Sequence, residues 1–127
     1  MGRSPLASRS AANTREPYCP DQFDVIHIQF NPQAGREQAD KRYAFVLSPA
    51  RYNRIARLCV LCPITTQVKG YPFEVAVPEG QKTRGVVLAD QIKSMVWSVR
   101  GAEFFENRAD IAPRVVAMLR ALLPLQT

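Results

Sequence analysis

Histidine is almost missing from this 127-residue chain: His27 is the only one. A reaction that passes protons between two histidines is therefore excluded, and any Ser–His–Asp or Cys–His arrangement would have to be built on His27. Also missing are a Walker-type glycine loop, a His-Glu-x-x-His zinc helix and a Gly-x-Ser-x-Gly nucleophile elbow. Cysteine is scarce and odd in number: Cys19, Cys59 and Cys62. The opening MGRSPLASRSAANTRE lacks the apolar core of a secretory leader. Together these point to reduced thiols in the cytoplasm rather than a disulfide framework. No apolar run approaches the ~18 residues of a membrane helix, so no membrane role is expected. The pair in CVLC (59–62) has redox or zinc spacing. It lies, however, in a run that reads as a strand, where residues three apart point to opposite faces. With no second cysteine pair and the lone histidine far upstream, neither a metal nor a cofactor is expected.

What the chain does have is a basic balance and an ordinary apolar share. Seventeen Lys and Arg against eleven Asp and Glu leave +6, a charge suited to a polyanionic partner. Apolar residues make up 46%, enough for one domain with its own core. Residues 1–16, rich in Ser, Ala and Arg without periodic apolar positions, read as a flexible tail, and 17–127 as the domain.

Alternation predicts a half-buried strand at DVIHIQF (24–30), with Asp24, Ile26, Ile28 and Phe30 on one face and Val25, His27 and Gln29 on the other. A long polar loop (31–41) precedes a strand at 43–48. ARYNRIA (50–56) reads as a turn or a single helical turn, and 57–66 as a central strand. Further strands are expected at 73–77, 86–90 and within 91–97, with one more around Ala102–Phe105. The last element changes period: Val115, Val116, Leu119, Leu122 and Leu123 fall at helical spacing, Pro113 suits the first turn and Arg120 the last. Short strands followed by one amphipathic helix predict a mainly β fold, a small, partly open barrel with a helix packed against it.

Chemistry is left to two loops. One offers Glu37, Gln38, Lys41 and Arg42; the other offers Thr65, Thr66, Gln67 and Lys69 after the central strand. If strands 43–48 and 57–66 are neighbours, both loops border one groove. Arginine forks, hydroxyls and amides there can stabilise a pentacoordinate phosphorane, or they can be ordinary solvated charges. His27, on the polar side of its strand, is open to three readings: a surface or interface residue, a ligand contact, or an acid–base group. Tyr43 and Tyr71 are either packing residues or stacking surfaces for bases.

The segments FNPQAGREQA (30–39), VLSPARYN (46–53), CPITTQVKGYPFEV (62–75) and GVVLADQIKSMVW (85–97) resemble, in order, the MazF, PemK and Kid family of toxin–antitoxin ribonucleases. The resemblance runs from about Tyr18 to the final helix. It implies an SH3-like barrel working as a homodimer and metal-independent cleavage of single-stranded RNA at short sequences. The ribose 2′-hydroxyl attacks the adjacent phosphate, leaving a 2′,3′-cyclic phosphate and a 5′-hydroxyl. It also implies a MazE-like antitoxin partner. The family's catalytic Arg corresponds to Arg42 and its Thr to Thr65. Glu37, Gln38, Lys41, Thr66, Gln67 and Lys69 are then the RNA-binding residues. Where the family reads Gly-His-Arg-Pro, this chain reads DKRY (40–43), so Asp40 can pair with Arg42 and hold it away from phosphate. That substitution admits an alternative, a weakened homologue that binds RNA or antitoxin without efficient cleavage. A third reading, the gyrase-poisoning relative CcdB, needs a C-terminal Trp-Gly-Ile; this chain ends LPLQT and its only Trp is Trp97.

Overall fold

The computed structural model describes residues 17–31 and 40–125. Strand β1 (Asp24–Gln29) pairs antiparallel with β2 (Lys41–Val46), which pairs in turn with β3 (Cys59–Thr65). The other edge of β3 is shared. Near Thr65 it carries β5 (Val86–Leu88), and near Cys59 it carries β6 (Lys93–Met95). Strands β4 (Glu74–Ala76) and β7 (Glu103–Asn107) close the row, which runs β4-β5-β3-β2-β1-β7. Among the described residues the two ends do not pair, so the barrel stays open.

Both faces of the sheet are covered. On one, Val25, Phe45, Cys62, Ile64, Val75 and Val87 pack beneath a short 3-10 turn (Ala109–Ile111) and helix α2 (Ala112–Leu122) through Ile111, Ala112 and Val115. On the other, Ile26, Ile28, Ala44, Val46, Cys59 and Leu61 pack against Met95 and Trp97. Each fully buried aliphatic side chain contributes about 1.5–3 kcal/mol to this assembly. The helix matches its expected place, with Pro113 in its first turn and Arg120 in its last; Leu123, expected on its apolar face, falls after the helix and is exposed. Strand β1 differs from the half-buried expectation. Val25 is as buried as Ile26, because the C-terminal helix covers the side assigned to solvent.

Two other boundaries moved. Residues 50–56 form a full helix, α1 (Ala50–Ala56), closed by Arg57 in the left-handed region at φ 63°. Its inward residue is Asn53, fully buried, whose amide donates to the carbonyls of Pro20 (2.8 Å) and Ser48 (2.9 Å). The Asn53 carbonyl accepts from the Trp97 indole at 3.0 Å. Strand β2 begins at Lys41, so Lys41 and Arg42, expected in the loop, are strand residues paired with Gln29 and Ile28. A tyrosine at position 43 keeps a backbone N–H that a proline would lack, which lets the ladder extend. Near the chain's end Arg108 is buried at 1% exposure and held by Asp110 through two 2.9 Å bonds, with Glu106 at 3.4 Å. Among the described residues no helix is long and apolar enough to cross a membrane.

Candidate functional site

The register between β2 and β3 builds the site. Tyr43 pairs with Ile64 and Ala44 with Pro63. Continued by one residue, that register sets Arg42 opposite Thr65 on the same face. Directly opposed residues of an antiparallel pair have their Cβ atoms about 5 Å apart. Both lie at the rim of an open cleft of about 600 Å³. Pro63 and Leu88 belong to its lining, as do Thr66, Gln67, Lys69 and Tyr71 from the segment that follows β3.

Local bonds fix that segment. The Thr65 Oγ1 accepts the Gln67 N–H at 3.0 Å, which leaves its own hydrogen to donate. The Glu74 carboxylate accepts the N–H groups of Lys69 (3.1 Å) and Gly70 (2.9 Å), folding the chain back towards the cleft. Gly85 approaches Thr65 from the other side: a Cβ there would lie 2.1 Å from the Thr65 carbonyl oxygen, and its φ is +102°. Only glycine suits both the conformation and the space.

Arg42 is half exposed and already engaged. Its Nε donates to Asp40 Oδ1 at 2.8 Å and its Nη2 to Oδ2 at 3.3 Å. Asp40 sits in the left-handed region at φ 64°, and the Asn31 amide donates to the same carboxylate. The Arg42 hydrogen bonds hold the Asp40 carboxyl below its ordinary range. The guanidinium also lies 5.1 Å from the Phe30 ring centroid.

Of the residues expected at the site, Arg42, Lys41, Thr65, Thr66, Gln67 and Lys69 all line this cleft. Lys41 does so at the edge, since its ammonium turns towards Glu103 at 3.8 Å on the opposite face. Glu37 and Gln38 lie outside the described residues. His27 stacks on Tyr43 at 4.5 Å on the face opposite Arg42 and Thr65, so it does not face the cleft centre. Partial burial, then nearby Lys41, push its pKa down. The two cysteines of CVLC occupy opposite cores, and burial pushes each thiol up to about 12. Sequence reasoning passed over Glu74, Gln91 and Gly85. Glu74 sat inside the strand expected at 73–77, and Gly85 just before the one expected at 86–90.

Comparison with known proteins decides the family. The model described as "PemK-like, MazF-like toxin of type II toxin-antitoxin system" matches residues 21–123. The chain belongs to this toxin family. It is 46% identical over 104 residues to the endoribonuclease toxin MazF of Escherichia coli (strain K12), covering 82% of this chain and 90% of that protein. A crystal structure of MazF from Deinococcus radiodurans superposes with a TM-score of 0.75 at 44% identity, over 86% of this chain and all of the other. A MazE–MazF complex from the same organism gives 0.76 at 43% identity, over 86% and 100%. The open barrel with its C-terminal helix is thus the MazF fold.

Proposed function

We propose that this protein is an endoribonuclease toxin that cuts single-stranded RNA without a metal, at short sequences. The observation that carries the reading is that Arg42 and Thr65, each next to the paired Tyr43 and Ile64, line one open cleft. A scissile phosphate lying between them meets a cationic fork on one side and a hydroxyl donor on the other. In the reaction the ribose 2′-oxygen forms a bond to phosphorus, giving up its proton. The P–O5′ bond breaks and the leaving oxygen takes a proton, so the products are a 2′,3′-cyclic phosphate and a 5′-hydroxyl. Arg42 acts by stabilising charge with its guanidinium fork rather than as a base. Thr65 donates to a non-bridging oxygen. Lys69, Gln67 and Thr66 position the strand, and the exposed Tyr71 offers a ring to a base. The protein works as a homodimer, and a MazE-like antitoxin silences it; the complexes formed by its Deinococcus relative support that partner.

A second reading has its own observation. Asp40 occupies the Arg42 fork that a phosphate would use. On that reading the chain binds RNA or antitoxin and cuts poorly.

One experiment separates them. The protein is incubated with a long single-stranded RNA in EDTA, and new 5′-hydroxyl ends are mapped. Discrete cuts that fall about 10²–10³-fold in Arg42→Ala and Thr65→Ala support the enzyme. Bound but intact RNA supports the second reading, and cuts that need magnesium overturn the mechanism.

A further inference from the structure

We propose that the outward stripe of α1 is a second contact for single-stranded RNA, remote from the cleft; the idea rests on the ribonuclease reading above. Arg51 and Arg54 stand three residues apart, a spacing that places neighbours on one side of a helix about 5–6 Å apart, and Arg57 follows directly after the last turn. All three are exposed, and none forms an ion pair among the described residues. The helix itself holds no acidic residue. At the start of the helix the Asp21 carboxylate accepts the backbone N–H groups of Ala50 and Gln22. Between the arginines stand Tyr52 and Ile55, both exposed, Ile55 at 84%.

Arg57 adds an independent sign. It occupies a left-handed position at φ 63°, where glycine is favoured, and its guanidinium lies 5.3 Å from the Trp97 ring centroid. The backbone thus accepts a strained residue whose side chain is held at the edge of the stripe.

Position excludes this stripe from the cleft. The helix joins the end of β2 to the start of β3, whereas Arg42 and Thr65 lie at the far ends of those strands. Six residue steps along β3 separate Cys59 from Thr65, about 20 Å. A short oligonucleotide filling the cleft does not reach α1; a strand that continues past it does. Guanidinium forks bind phosphate oxygens, and an exposed tyrosine ring stacks bases without sequence preference. Arginine with an interleaved aromatic favours nucleic acid over an acidic protein tail.

The test compares Arg51→Gln/Arg54→Gln/Arg57→Gln with the matching triple lysine variant, which keeps the charge. Cleavage is measured on a short RNA spanning one cut site and on a long single strand containing that site. The glutamine variant is expected to raise KM about tenfold on the long strand only, with kcat unchanged. The slope of log KM against log salt should become shallower by about 2, from three lost phosphate contacts on a single strand. The lysine variant should keep the wild-type slope. Fluorescence anisotropy with a long single-stranded DNA, which has no 2′-hydroxyl to react, gives the same comparison without cleavage. If wild-type protein cuts neither RNA, the ribonuclease reading fails while the anisotropy result still judges the stripe. An unchanged affinity and salt slope overturns the proposal. So does an equal loss on the short RNA, or lost binding of an acidic peptide with RNA binding intact.

Discussion

Gly85→Ala is the sharpest probe of how the cleft is held. The new methyl would sit 2.1 Å from the Thr65 carbonyl oxygen, 2.8 Å from its carbonyl carbon and 3.1 Å from the Thr66 Cα. All three are backbone atoms, so no side-chain rotation relieves the clash. Ordinary contact requires the Thr65–Thr66 backbone to retreat by about 1 Å, and a misplacement of that size in a reacting group costs about 10²-fold in rate. The conformation adds its own term: an alanine at φ +102° is strained by about 1–2 kcal/mol, a fall in Tm of roughly 4–8 °C for a domain this size. The two effects are separable because Gly80 has a similar φ, +111°, with nothing within 4 Å of its Cβ position. Gly80→Ala should lower Tm and leave kcat alone, whereas Gly85→Ala should lower both. The assay is single-turnover cleavage of RNA at a temperature where both variants are folded, beside thermal unfolding. Wild-type kcat in Gly85→Ala would refute the reasoning, as would an equal loss of kcat in Gly80→Ala.

Asp40→Asn should free the Arg42 fork and lower KM for RNA roughly threefold, the scale of an exposed ion pair, as measured by initial rates at low salt; a higher KM would mean that Asp40 orients Arg42 rather than competing for it. For Asp110, the Arg108 hydrogen bonds hold its carboxyl below the ordinary range. A depressed folded-state pKa gives stability that is fully present above the unfolded value of about 4 and is lost as pH falls through the folded value. Thermal unfolding across pH 7 to 2 should therefore show Asp110→Asn less stable than wild type near neutrality and the two converging as pH falls below the unfolded value of about 4.

Elements with a strong period were readable from the sequence, and tertiary effects were not. The helix at Ala112–Leu122 and strand β1 followed from spacing, and β3 from its continuous apolar run. The burial of Val25 did not, since it depends on a helix that docks more than eighty residues later. Helix α1 has no apolar stripe to announce it: one buried polar residue, Asn53, anchors it through partners at Pro20, Ser48 and Trp97. At the site, bringing Arg42 and Thr65 to one cleft required only that two strands be neighbours. The Asp40 pairing was visible as a possibility because the residues stand two apart. Gly85 was hidden, because its close approach to Thr65 exists only once β5 lies beside β3.

The anchoring of α1 has a consequence for the order in which this molecule takes shape. Seven residues are too few for a helix to persist alone in water. The ties that hold it span 33 residues back to Pro20 and 44 forward to Trp97. A nascent chain therefore holds this helix only by its ties to Pro20 and Ser48 until the Trp97 segment has been synthesised and docked, and the arginine stripe is expected to settle late in folding.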